Sequence, residues 1–231
     1  MSEPMAERNK ELRAEVPDRY GLVFALLLAS FLTAPVLSTR PSRAVTTILF
    51  AAALILALRF ARLPPLRVRY LRWILVAGSV AVAVLVVVVP SRLIVGLCSL
   101  WVAGIVLFTV YVVVGRVLRH RVVTMHTIFG ALSAYLLIGF AFTALFTATA
   151  ALTTQPLFAN GDQADSDAIQ YFAFITLTTT GYGDLTPAGQ PGRSLAVMDA
   201  LFGQIFLVTL VARLVSVFGT ARQPPARGQD R

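Results

Sequence analysis

The chain has 231 residues, 57% of them hydrophobic and only 13% charged, with a mean hydropathy of +0.77. That balance leaves too little polar surface for a soluble domain and marks a membrane protein. The net charge of +9 does not point to nucleic acid, because nearly all the basic residues are arginines placed between apolar runs, as the positive-inside rule arranges them.

Residues 1–19 mix both signs (Glu3, Glu7, Arg8, Lys10, Glu11, Arg13, Glu15, Asp18, Arg19), unlike a secretory signal, and read as a cytoplasmic N-terminal segment. It forms either a short surface helix around Met5 to Val16 or a solvated tail. Six apolar segments follow: Tyr20–Leu37, Ala44–Leu58, Trp73–Val89, Leu93–Val114, Thr127–Leu152 and Ser194–Phe218. A crossing takes about 20 residues. The second segment is short and crosses if Arg59 and Arg62 snorkel to the headgroups. The loops holding Arg59, Arg62, Arg67, Arg69 and Arg72, and then Arg116, Arg119 and Arg121, outweigh the alternate side, which has Arg40, Arg43 and Arg92. This places both termini in the cytoplasm of a multi-pass protein of the cell membrane. The lone cysteine, Cys98, excludes an intrachain disulfide.

Residues 20–115 form a four-helix unit. Residues 116–126 read as an amphipathic cytoplasmic linker, since Leu118, Val122 and Met125 recur at helical spacing, with a plain basic loop as the alternative. After the fifth segment, Asp165 or Ser166 is placed to cap a helix over about 167–178. That helix is too short to span and is expected to be re-entrant, which membranes tolerate only where protein or water surrounds it. Its C-terminal end carries partial negative charge, favourable to a cation. The chain then turns back through Thr179-Thr180-Gly181-Tyr182-Gly183-Asp184, whose glycines allow several carbonyls to gather on one side.

With Thr178 before it, Leu185-Thr186-Pro187 after it, then Gly192-Arg193 and Gly203, this string resembles the pore domain of tetrameric potassium channels over residues 127–219. The resemblance implies an all-α membrane protein with six transmembrane helices and a pore helix and filter between the fifth and sixth. It also implies an inner helix over 194–218, a short cytoplasmic tail at 220–231, and assembly with three identical subunits, since one filter per chain requires four chains. It implies an ion-binding filter of Thr179, Thr180, Gly181, Tyr182 and Gly183, with K+ held at Thr179, Thr180, Gly181 and Tyr182, and the Thr179 hydroxyl completing the innermost site. Asp184 would mark the outer mouth, and Tyr182 would point into an aromatic cuff with Tyr171 and Phe172. Ile175 and Thr178 would support the filter from behind.

Two departures stand out. Thr180 replaces the usual Val or Ile and adds a hydroxyl that needs a partner. Ile175 stands where some bacterial channels carry a glutamate paired to the residue matching Asp184. Asp184 is therefore expected to lack that partner, leaving a filter that inactivates in low potassium. In the last segment, Asp199 either forms a ring of charge below the filter, or is satisfied by hydroxyls such as Thr176 or Thr178, or is simply protonated. Gly203 serves either as a hinge or as a point of close packing. Arg213 is expected to snorkel at the inner interface, with a gating role as the alternative.

The first half has the layout of a voltage sensor without its charges. No Arg or Lys occurs from Leu93 to Gly115, and no Asp or Glu lies between Arg19 and Asp162. Each gating charge supplies about 2.3 kcal/mol per 100 mV, so steep voltage dependence is not expected. The function that follows is passive conduction of K+, with membrane lipids as partners and no cofactor. The alternatives are a weakly selective monovalent cation channel and a nonconducting subunit or scaffold. No catalytic or metal-spaced cluster occurs, and His120 and His126 sit in the basic linker, so no enzyme is expected.

Overall fold

The computed structural model describes residues 20–36, 51–57, 78, 91–119 and 125–220. The N-terminal segment, most of the second and third apolar segments, Val122 of the linker and the tail from residue 221 lie outside the described residues. Five helices are defined: α1 (Tyr20–Val36), α2 (Arg92–Arg119), α3 (Met125–Leu152), α4 (Ser166–Leu177) and α5 (Gln190–Thr220). A further helical stretch covers 51–57. Among the described residues there is no strand; the one extended pairing is an isolated bridge between Phe158 and Pro187.

Among the described residues three helices are long and apolar enough to cross a membrane, over Arg92–Val117, Thr127–Leu152 and Gln190–Arg213, and Tyr20–Thr33 of α1 is apolar but shorter. The described residues are thus helical, with the apolar helices of a membrane protein. Two boundaries differ from the sequence expectation. Arg116 and Arg119, expected in a separate linker, are the last turns of α2, because arginine is a good helix former whose stem lies comfortably along an apolar helix. The last helix begins at Gln190 and not Ser194. Pro191 fits there, since the first turn of a helix needs no N–H from it.

Small side chains let the helices approach closely, the usual device where the hydrophobic effect cannot drive association. Ala131, Ala134 and Ala141 of α3 meet Val23 and Leu27 of α1, Ala53 and Ala57, and Val106 and Val113 of α2 in one buried cluster. A second cluster joins α3 to α4 through Phe146, Phe158, Ile169, Phe172 and Leu177. α1 also packs on α4. The Phe31 ring lies 4.6 Å from that of Phe174, and the Gln170 amide donates to the Phe31 carbonyl at 3.5 Å. α5 leaves Val197, Leu201, Phe202, Ile205, Val208 and Val211 exposed, an apolar face that one chain does not cover.

Candidate ion-conduction site

The site begins at the α4 N-terminus. Of the two expected caps it is Asp165 that serves: its carboxylate accepts from the backbone N–H of Asp167 at 3.1 Å and of Ala168 at 2.8 Å. Such a cap contributes about 1 kcal/mol and attracts acidic side chains to the positive end of the helix. α4 is then pinned through Phe172, whose ring stands 4.9 Å from Phe146 and 5.4 Å from Phe158.

At its other end the helix passes its carbonyls to the loop. Thr178 N–H donates to Phe174 O at 3.0 Å, and Thr179 N–H to Thr176 O at 2.9 Å. Thr180 and Gly181 N–H both reach Ile175 O, at 2.9 and 3.2 Å. Ile175 therefore supports the loop with its backbone, whatever its side chain. Positive φ occurs at Thr179 (56°), Gly181 (50°) and Gly183 (83°), alternating with Thr180 and Tyr182. In an extended strand successive carbonyls point to opposite sides; alternation of hand can turn them to the same side. Only Thr179 lacks glycine's freedom there, and a side chain in that region costs on the order of 1–3 kcal/mol.

The amides of 178–181 are thus engaged, whereas no hydrogen bond among the described residues reaches the carbonyls of Thr179, Thr180, Gly181 or Tyr182, all of them in exposed residues. Backbone carbonyls are obligatory acceptors, and a row of unpaired ones is a site for a ligand that accepts lone pairs. A partly dehydrated monovalent cation is such a ligand. The Thr179 hydroxyl donates to Thr178 O at 2.7 Å, which leaves its own lone pairs free.

The extra hydroxyl of Thr180 finds its partner in Thr178, Oγ1 to Oγ1 at 2.9 Å, while Thr178 Oγ1 also meets Phe174 O at 2.8 Å. At the outer end Asp184 has no acid at 175 to pair with, but the Tyr171 hydroxyl donates to its carboxylate at 2.8 Å. The reach comes from register: Tyr171 lies one helical turn before Ile175, and its ring spans the gap that an acid at 175 would otherwise close. The hydrogen bond to Asp184, followed by burial and the Asp184 charge, holds the Tyr171 phenol above its ordinary value.

The expected cuff is divided. Tyr171 faces Asp184, Phe172 turns into the core of its own chain with 4% exposure, and Tyr182 is 72% exposed. A clasp not expected from the sequence fixes the mouth. Asn160 donates to Asp184 O at 3.0 Å and to Asp162 at 2.7 Å. Ala159 N–H reaches Thr186 O at 2.8 Å, and Ala188 N–H reaches Leu157 O at 2.9 Å.

Behind the loop, Asp199 is fully buried, and neither carboxyl oxygen has a hydrogen-bond partner among the described residues. In this conformation it is not on the exposed face of α5 and is not bonded to Thr176 or Thr178. The reason is its register on α5, which turns it inward between helices while Met198 and Phe202 take the open side. Gly203 is pressed on α4: a Cβ there would run into the Leu177 carbonyl oxygen. That is the close-packing alternative. Tyr135 of α3, which the sequence did not single out, donates to the same Leu177 carbonyl at 3.4 Å.

Residues 166–220, comprising α4, the loop and α5, match a family model described as "Ion channel". A curated relative, the voltage-gated potassium channel regulatory subunit KCNG2 of Rattus norvegicus, is 29% identical over 103 residues, covering 45% of this chain and 21% of the relative. The matches support a potassium-channel family. They point to a channel and not to an enzyme. The matched stretch spans only about a fifth of that relative's length, and no solved structure matches the chain.

Proposed function

We propose that four copies of this chain enclose a pore that conducts K+ passively across the cell membrane. The single observation that carries this reading is the row of exposed, unpaired carbonyls at Thr179, Thr180, Gly181 and Tyr182, on a backbone of alternating hand. α4 is then a re-entrant pore helix, and its C-terminal carbonyls and partial charge favour a cation below the filter. Asp184 marks the outer mouth, braced by Tyr171; Ile175, Thr178 and Phe172 support the filter; Gly203 and Asp199 belong to the inner helix. The exposed apolar face of α5 meets its three symmetry mates, and lipids surround the rest. Conduction is not steeply voltage-dependent, because α2 has no Arg or Lys between Leu93 and Gly115.

Purified protein in liposomes carrying opposed potassium and sodium gradients tests the reading. Potassium flux with a reversal potential near the potassium equilibrium value supports it. Equal permeation of both ions leaves a weakly selective channel. A second reading, a nonconducting subunit that works within other channels, draws on the relative's printed name as a regulatory subunit. Absence of flux from this chain alone, with flux restored by a conducting partner, would favour it.

A further inference from the structure

We propose that Asp199 is a proton-operated switch in which the neutral acid is stored behind the pore helix and the ionised acid turns toward the ion cavity. The inference rests on the channel reading above. Asp199 has no exposure, and neither of its oxygens has a partner among the described residues. A fully buried carboxylate with no protein donor is costly, and an ionisable residue inside a membrane segment calls for a function. The pocket that holds it is suited to a neutral acid.

The groups around it leave no counter-charge. From α3, the Tyr135 phenol faces Asp199 closely enough to interact electrostatically, but its hydroxyl is turned to the Leu177 carbonyl. The titratable groups of α4 and the loop are Asp167, Tyr171, Tyr182 and Asp184. Asp167 is in the first turn of α4, and Tyr171 is bonded to Asp184 at the mouth. On α5 the charged neighbours are Arg193, about 9 Å along the helix, and Arg213, about 21 Å along it. Ionisation is relieved by a roll of α5 toward its open face, where the residue before Asp199, Met198, is 50% exposed and Phe202 is 51% exposed. In a four-fold pore that face borders the cavity, so four carboxylates would enter it together and attract internal cations. Gly203 against the Leu177 carbonyl is the contact the roll must slide past, and it ties the movement to the helix whose Ile175 carbonyl holds the filter amides.

The test is block of potassium current by internal tetraethylammonium in planar bilayers, measured as internal pH is raised from acid to alkaline. The wild type is expected to bind the blocker about tenfold more tightly at alkaline pH, the scale of several charges facing a cation across water. Asp199→Asn, which mimics the neutral acid, is expected to keep the weak block throughout. A conduction-independent readout accompanies it: the infrared carbonyl stretch of a protonated carboxyl, present in the wild type at acid pH, lost on alkalinisation and missing from Asp199→Asn. Current with pH-independent block, an identical profile in Asp199→Asn, or no titrating infrared band overturns the switch. Absence of potassium current at every pH overturns the channel reading instead, whatever the infrared band does. Should Asp199→Asn fail to assemble, the wild-type titration of block and band still decides.

Discussion

Substituting Gly203 by alanine adds a single methyl group at the tightest helix contact described in the protein. The new Cβ would run into the Leu177 carbonyl oxygen and would lie 3.0 Å from both the Leu177 carbonyl carbon and its Cδ1. Ordinary contact begins at about 3.4 Å, and two of these three atoms are backbone at the end of α4, so no rotamer change removes the clash. α5 must move outward, and overpacking of this kind costs roughly 1–3 kcal/mol for each chain. Against this, alanine in a helix interior gains only about 0.5–1 kcal/mol over glycine. The net expectation is a loss centred at about 1 kcal/mol for each chain, the difference of those two ranges spanning about 0–2.5 kcal/mol. Gly104→Ala is the control, because nothing stands within 4 Å of its added Cβ, so the helix-propensity gain acts alone there. Thermal unfolding of the purified protein in one detergent should lower the transition for Gly203→Ala and raise it slightly for Gly104→Ala. A Gly203→Ala protein that melts with the wild type and conducts normally would refute the packing argument and return Gly203 to its reading as a free hinge.

Tyr171→Phe removes the donor to Asp184 and should hasten loss of potassium current when external potassium is lowered, read in macroscopic recordings. The Tyr171 phenol is held above its ordinary value of 10.0, so the bond it donates is intact at neutral pH and is lost as external pH rises through the raised value. Alkaline inactivation should therefore appear only beyond the normal tyrosine range and be missing from Tyr171→Phe. Thr180→Val removes one partner of the 2.9 Å hydroxyl pair, yet Thr178 Oγ1 keeps Phe174 O; potassium/sodium selectivity should stay within about tenfold of wild type, on a net cost of about 0.5–1.5 kcal/mol for one neutral hydrogen bond. Asp165→Ala removes two backbone contacts at the α4 N-terminus and should lower stability by about 1 kcal/mol, visible as a reduced melting temperature with selectivity unchanged.

The loop was legible because its chemistry is local. Glycines at 181 and 183 are a direct demand of positive φ, and a six-residue string fixes its own backbone. The cap at Asp165 was legible for the same reason. What depends on rotation about a long helix axis was not. α5 is apolar nearly all round, so its sequence holds no clear stripe to say that Asp199 turns inward while Met198 turns out. The division of the cuff has the same origin, since adjacent positions such as Tyr171 and Phe172 differ by about 100° on a helix and only packing against Phe146 and Phe158 decides which goes inward. The clasp by Asn160 was hidden by distance along the chain, its acceptor lying 24 residues away.

These placements converge on the last turn of α4. Phe174 takes the ring of Phe31 from α1 and that of Phe140 from α3, at 4.6 and 5.5 Å. Leu177 takes the Tyr135 hydroxyl from α3 and the close approach of Gly203 from α5. Between them, the Ile175 carbonyl accepts the amides of Thr180 and Gly181. Three helices thus bear on one short turn, and that turn holds the loop by its backbone. Coupling between distant sites needs an element with two arrangements that both ends can bias. α1 has no charge with which to bias it; α5 has Asp199. A stimulus acting on conduction through this turn should therefore enter from the α5 side, and charge-neutral substitutions at Phe31 should alter the loop's stability without creating or removing pH dependence. Phe31→Leu recordings that abolished the pH dependence of internal block would contradict that division of roles.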